Sequence, residues 1–101
     1  MNLYTSEKDI TYAIRQTLKV FRIFHWKVWQ GMGSTPGVPD IVGILPDGKF
    51  LGIEVKTENG KLSPHQENFL AAINAAGGIG FCARSVDDVI EKLNLKSKML
   101  F

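Results

Sequence analysis

The chain is poor in cysteine and has no long apolar run, and each absence excludes a class of protein. Cys82 is the one cysteine, so an internal disulfide is excluded, and we expect a buried thiol in a reducing, cytoplasmic setting. No apolar stretch approaches the roughly 20 residues of a membrane-spanning helix, so we expect no membrane partner. The first ten residues carry charges in place of the apolar core of a signal peptide, so none is expected.

Neither sign of charge dominates the sequence. Lys and Arg number 12 and Asp and Glu 10, which gives a formal net charge of +2. This balance permits nucleic-acid binding but does not indicate it strongly. With 101 residues, 45% of them hydrophobic, the chain has enough apolar surface for a single core. We therefore predict one domain over residues 1–101.

What the sequence does contain is a hairpin between two carboxylates, Asp40 and Glu54. Residues 41–53 are typical of a strand, a turn and a second strand. A two-residue loop would place the carboxylates on opposite faces of the sheet, whereas a three-residue loop over Pro46, Asp47 and Gly48 would pair them. Proline suits the second position of a type I turn, and glycine suits the left-handed position that follows. We expect the three-residue loop, with the two Cβ atoms about 4.5–5.5 Å apart.

Paired carboxylates with a lysine form a cluster that suits metal-dependent phosphodiester hydrolysis. Lys56 lies two residues beyond Glu54 and points to the same face. Two opposed carboxylates repel each other, and a divalent cation would remove the repulsion. Oxygen ligands favour Mg²⁺ or Mn²⁺, and such an ion can activate water and stabilise a phosphoryl oxygen. The simpler explanation is that Asp40 begins a strand, Glu54 is solvated and Lys56 pairs with one of them.

A first helix is indicated by apolar residues at helical spacing, namely Ile10, Ile14, Leu18 and Phe21. Glu7 extends this stripe at its amino end. Two interpretations of Glu7 stay open on physical grounds. It can be a first-turn carboxylate that interacts favourably with the helix dipole, or a carboxylate that reaches the metal site at the edge of the sheet.

The remaining elements complete an alternating order of strands and helices. A strand is predicted over residues 23–29, then a glycine-containing loop over residues 30–37 and the hairpin. Ser63 is expected to cap a second helix with Gln66 in a capping box, and residues 79–83 should form a strand parallel to the second hairpin strand. Ser85 should open a last helix. The sequence therefore predicts an α/β fold with a mixed sheet flanked by helices.

Other residues give weaker indications. His25 and His65 lack the spacing of a zinc site. We expect an exposed strand residue at His25 and a first-turn helix residue at His65. Trp26, Trp29 and residues 99–101 hint at a dimer surface, although core packing explains the tryptophans equally well.

Pro39-Asp40 followed by Glu54-Val55-Lys56 resembles the motif of the PD-(D/E)XK nuclease superfamily. Residues 37–41, 53–57 and 60–66 are similar to the VRR-NUC family, including its small stand-alone phage-type members. The similarity extends over about residues 7–84. It implies a restriction-endonuclease-like αβββαβ core with a mixed central sheet flanked by helices.

The resemblance also implies an activity. It implies a metal-dependent, structure-selective DNA endonuclease that hydrolyses phosphodiester bonds in branched DNA such as four-way Holliday junctions. The resemblance further implies Mg²⁺ or Mn²⁺ as the cofactor and a homodimer as the active form. Lys56 would position the attacking water, and Gln66 would lie near the active site. The metal ligands would be Asp40, Glu54 and the main-chain carbonyl of Val55, with Glu7 bound through water.

The sequence departs from the family pattern at one point, because residues 30–35 contain no basic residue where many members carry one. Phosphate contacts are then expected from main-chain amides, Ser34, Thr35, Lys27 or Lys61. Two other functions stay open, namely a catalytically quiet DNA-binding or assembly module, and an accessory nuclease domain directed to its target by a partner protein.

Overall fold

The computed structural model describes residues 6–29 and 35–96. The elements in these ranges follow the predicted order: α1 (Glu7–Val20), β1 (Phe24–Lys27), β2 (Ile41–Ile44), β3 (Phe50–Val55), α2 (Pro64–Ala75), β4 (Ile79–Ala83) and α3 (Val86–Lys92). The expectations for residues 30–34 and 99–101 lie outside the described residues. No helix in the described part of the chain is long and apolar enough to cross a membrane.

The four strands form one mixed sheet in the order β1-β2-β3-β4. β1 pairs with β2 and β2 with β3 in antiparallel fashion, whereas β3 and β4 are parallel. A hairpin allows antiparallel neighbours, while the parallel pair needs the longer connection that α2 supplies. The predicted α/β class, with a mixed central sheet and flanking helices, is confirmed.

Helices cover both faces of the sheet. The odd-numbered residues of β3 point to one face and are fully buried in the main core, together with residues of α1 and α3. On the other face, α2 contacts β3 and β4. Gly52 permits this close approach, because a Cβ atom there would lie 2.5 Å from Cδ1 of Ile73. The even-numbered face of β3, which carries Glu54, is therefore the face beneath α2.

The hairpin turn has the predicted three-residue loop. The Gly48 N–H donates to the Leu45 carbonyl at 2.7 Å, and the Leu45 N–H donates to the Lys49 carbonyl at 2.9 Å. Gly48 has φ +91°, the left-handed conformation that favours glycine. Ile41 consequently pairs with Ile53, and the preceding pair in this register is Asp40 with Glu54.

The predicted starts of the second and last helices are also confirmed, and the first helix begins in the same way. Ser6, Ser63 and Ser85 are in extended conformation, and each side-chain oxygen accepts a hydrogen bond from the backbone N–H three residues later. Such caps satisfy donors that the first helical turn leaves free.

The first strand differs from its prediction over residues 23–29, since regular pairing extends from Phe24 to Lys27. The Val28 N–H still donates to the Asp40 carbonyl at 2.8 Å, which continues the alignment by one residue. Trp26 and Trp29 are 44% and 87% exposed, so core packing does not explain them. They lie on or beside an edge strand that α2 does not cover.

Two further expectations about exposure were wrong. His25 is half-buried, because it lies on the face of β1 that α1 covers and its Nδ1 donates to the Ile23 carbonyl at 2.9 Å. Cys82 is only partly buried, and this burial raises the pKa of its thiol. His65 lies in the first turn of α2, as expected.

Candidate active site

Asp40 is positioned by the segment that precedes it. Pro39 is fully buried, and Gly37 has φ +83°. A Cβ atom at Gly37 would collide with the main-chain carbonyl of His65, so this glycine allows the segment to pack against the start of α2. Asp40 then directly precedes β2, where its Oδ2 accepts a hydrogen bond from the Val55 N–H at 2.8 Å. The carboxylate is therefore held against the backbone of β3.

Glu54 is the most deeply buried carboxylate of the site, with 3% of its surface exposed. Its Oε2 accepts a hydrogen bond from Gln66 Nε2 at 3.0 Å. Its Oε1 is buried and has no hydrogen-bond partner among the described residues. A buried acceptor without a partner lowers the free energy of unfolding by roughly 1–3 kcal/mol, so this oxygen destabilises the folded state.

The surroundings of Glu54 favour its protonated form. Burial raises its pKa to about 8, and the negative charge of Asp40 acts in the same direction. Lys56 lowers this pKa, and Glu7 raises it slightly. Without a cation, the carboxyl group of Glu54 therefore keeps its proton near neutral pH.

Gln66 joins the second helix to the acidic pair. Its Oε1 accepts a hydrogen bond from the Ser63 N–H at 2.8 Å, which completes the capping box, while its Nε2 donates to Glu54. Because one amide makes both contacts, the start of α2 fixes the position of the Glu54 carboxylate.

Lys56 and Glu7 lie near the pair without direct ion pairs. Lys56 is half-buried, and no ion pair joins it to a carboxylate in residues 6–29 or 35–96. Glu7 is exposed in the first turn of α1 and lines a cavity together with Asp40. Its place satisfies both interpretations, since it is a first-turn carboxylate and also faces the site.

The described residues contain no group of three His, Cys, Asp or Glu side chains close enough to hold a metal ion. Asp40 and Glu54 form the close pair, so Glu7 as a ligand stays a prediction. Val55 is consistent with its predicted role. Its N–H points to Asp40, and the N–H and carbonyl of one strand residue point to the same side.

Arg84 is a residue of the site that sequence reasoning missed. Its Nη1 donates to the carbonyls of Thr57 and Gly60 at 2.6 Å each and of Glu58 at 3.3 Å. These bonds hold the turn that directly follows Lys56. The parallel pairing of Val55 with Ala83 brings Arg84 to this turn, so the predicted crossover was the signal that could have located it.

A cavity of about 540 Å³ opens beside Asp40, between α1 and the end of β1. Its lining comprises Glu7, Lys8, Thr11, Tyr12, Arg15, Gln16, Lys19, Lys27 and Asp40. Of these, sequence reasoning singled out Glu7, Asp40 and Lys27. The missed cations of α1 recur at the helical spacing of one face, a signal that was present in the sequence.

Comparison with known proteins agrees with this geometry. Two solved structures share the fold. One, described as a VRR_NUC domain, has 26% sequence identity and a TM-score of 0.71, covering 87% of this chain and 94% of its own. The other, a VRR_NUC domain protein, has 18% identity and a TM-score of 0.70, covering 88% of this chain and 85% of its own. No curated protein matches the chain.

The family model of the VRR-NUC domain matches residues 4–87, which include the whole acidic pair and its supports. The chain therefore belongs to the VRR-NUC family and is a nuclease-type domain whose substrate is DNA.

Proposed function

We propose that this domain is a Mg²⁺- or Mn²⁺-dependent endonuclease that hydrolyses DNA phosphodiester bonds. Its active site would consist of Asp40, Glu54 and Lys56. The observation that carries the proposal is the buried pair of Asp40 and Glu54, in which the pKa of Glu54 is raised to about 8. Burying Glu54 beside a second carboxylate destabilises the metal-free protein. A cation that replaced the proton of Glu54 would relieve this cost and would give the pair a physical reason.

The donor set fits a hard divalent cation. Glu54 Oε1 has no hydrogen-bond partner among the described residues and can accept a cation, and Asp40 supplies a second carboxylate beside it. Asp40, Glu54 and the Val55 carbonyl would hold the ion, with Glu7 acting through water. When bound, the ion would lower the pKa of water and stabilise negative charge on the phosphoryl group.

The chain's own residues orient the reaction. Gln66 and the Val55 N–H each hold one carboxylate in place, so neither must reorganise when substrate arrives. Lys56 is free of ion pairs among the described residues, so its ammonium can donate to a phosphate oxygen or orient the attacking water. Arg84 fixes the turn next to Lys56 and thereby acts as a positioning residue.

Branched DNA, such as a four-way junction, is the substrate that we propose, with a homodimer as the active form. A two-fold dimer presents two sites that can cut opposing strands. The supporting observation is the exposed edge strand, where Phe24 and Trp26 are 65% and 44% exposed and their ring centroids lie 5.5 Å apart. Sedimentation equilibrium tests the dimer, and a monomer across the micromolar range would contradict it.

The decisive test is a cleavage assay on four-way junction, flap, single-stranded and linear duplex DNA with Mg²⁺, Mn²⁺ or chelator. We expect cutting of the junction that needs the metal and is abolished by Asp40→Asn. Asp47→Asn is the matched control, because this carboxylate lies at the exposed tip of the same hairpin.

Each other outcome points elsewhere. Cutting that survives both chelator and Asp40→Asn would contradict the proposed site. Tight binding without cutting by the unaltered protein would identify a quiet DNA-binding module. Cutting that appears only after a partner protein is added would identify an accessory nuclease domain.

A further inference from the structure

One face of α1 is cationic and borders the cavity next to the acidic pair. Lys8, Arg15 and Lys19 lie seven and four residues apart, so they share one side of the helix with Tyr12. Lys27 of β1 lines the same cavity. Four cations from two elements therefore surround one space of about 540 Å³.

Although Glu7 and Asp40 also line this cavity, its four cations form no ion pair among the described residues. The ion pair found among them joins Lys49 to Asp47 at 3.7 Å, at the hairpin tip, and does not involve the cavity. Arg15 Nε is buried and has no hydrogen-bond partner in the described ranges. A buried guanidinium N–H and unpaired cations both gain from an anionic oxygen ligand.

The cavity is continuous with the candidate reaction centre. Glu7 and Asp40 line one end and Lys19 the other. Twelve residues of helix separate Glu7 from Lys19, which corresponds to roughly 18 Å at 1.5 Å per residue. One strand of duplex DNA has about five phosphates over that length. The cations are thus spaced to meet several successive phosphates, and a single small anion would not occupy them all.

We propose that this cavity is a track for the phosphodiester backbone of the DNA strand that leads away from the reaction centre, with Lys8, Arg15, Lys19 and Lys27 contacting its phosphates. The proposal rests on the proposed function for the identity of the ligand. Tyr12 is 66% exposed in the middle of the track and offers a ring on which a base of a single strand can stack. The track supplies the basic contacts that residues 30–35 lack.

The test measures DNA affinity against salt concentration in the Asp40→Asn background with chelator, so that cutting plays no part. A labelled duplex and its single strand serve as two probes. Arg15→Gln/Lys19→Gln should reduce the slope of log K against log salt by about 1.8 for the duplex or about 1.4 for the single strand. Lys49→Gln/Lys92→Gln removes the same charge away from the track and should leave both slopes close to the parent values.

The probe whose slope falls identifies the form of DNA in the track, and Tyr12→Leu should weaken single-strand binding if that form is bound. Because Arg15 is half-buried, Lys8→Gln/Lys19→Gln provides a second pair in which both side chains are exposed. Unchanged slopes in a folded Lys8/Lys19 variant, or an equal fall in the Lys49/Lys92 control, would overturn the track. If the slopes change as expected but the unaltered protein does not cut DNA with metal, the proposed function is overturned and the track is not.

Discussion

The acidic pair and the cationic cavity lie side by side, yet they hold charge in opposite ways. Asp40 and Glu54 are paired with each other and are held by hydrogen bonds from Val55 and Gln66. The cations along α1 are spread over several turns, and none forms an ion pair within the described residues. The acidic pair places two carboxyl groups together in a buried position. The cations of the cavity are distributed over an accessible surface.

This difference assigns each region a different kind of work. A buried charge interacts strongly with its neighbours, so the acidic pair depends on exact atomic positions and on pH. Accessible cations are screened by salt and contribute roughly equally, so the cavity should control affinity and its salt dependence. Changes to the acidic pair should therefore alter the cutting rate, and changes to the cavity should alter DNA affinity.

The largest effect is expected at Lys56. Lys56→Gln should lower the cutting rate at saturating DNA by about 10²–10³, because it removes a charged donor from the reaction centre. The DNA dissociation constant should change by less than about threefold, since one cation contributes little to the total. Single-turnover kinetics and fluorescence anisotropy measure the two quantities. Lys49→Gln is the control. A loss of DNA affinity without a loss of cutting rate in Lys56→Gln would contradict the separation of chemistry from binding.

The next effect concerns the stability of the metal-free protein. The folded state keeps the Glu54 proton up to a pKa of about 8, whereas the unfolded chain releases it near the usual pKa of a glutamate. The folded state therefore binds more protons between pH 5 and 8, and the free energy of unfolding should fall as pH rises through this window, by on the order of 3 kcal/mol.

Urea unfolding with chelator at pH 5, 6, 7 and 8 measures this fall, and Glu54→Gln should remove it. The difference between the two proteins isolates Glu54. His25, whose pKa is lowered chiefly by burial, contributes to both alike. Glu58→Gln, an exposed carboxylate, should keep the fall. Parallel curves for the unaltered protein and Glu54→Gln would show that Glu54 is ionised without metal.

A smaller effect is expected at Gln66. Gln66→Leu leaves Glu54 Oε2 without its donor and opens the capping box, so the free energy of unfolding should fall by about 1–3 kcal/mol. The salt dependence of DNA binding should stay unchanged, because no charge in the cavity is altered. Asn68→Leu makes a similar change at an exposed position of α2 and should have little effect. Equal stability of the two variants would argue against the bridge from α2 to Glu54.

The smallest effect reports on the cavity itself. The positive charges of Arg15 and Lys19 contribute to the lowered pKa of His25, after the larger effect of burial. Arg15→Gln should therefore raise the pKa of His25, measured by NMR titration of its ring, while Lys49→Gln should not. An unchanged titration would show that Arg15 does not act on this histidine.

Much of the fold followed from short-range chemistry. The turn at Pro46, Asp47 and Gly48 selected the register because its conformational preferences lie within three residues. The serine caps likewise depend on contacts between residues three apart. These features were predictable because neighbouring residues in the chain decide them.

Contacts between distant elements were less accessible. The exposure of Trp26 and the half-burial of His25 depend on which helix covers which face of β1. The contacts of Arg84 depend on the parallel pairing of β3 and β4, and those of Gln66 on where α2 crosses β3. Spacing along the sequence could not choose the partners of these residues.

The sequence by itself determined that Asp40 and Glu54 would lie opposite each other, because the hairpin between them is local. Tertiary structure alone decided that Glu54 is buried, that its pKa is raised and that a cationic cavity adjoins the pair. The physical reason is that burial and electrostatic potential are sums over all neighbours in space, and α1 and α2 bring those neighbours from distant parts of the chain.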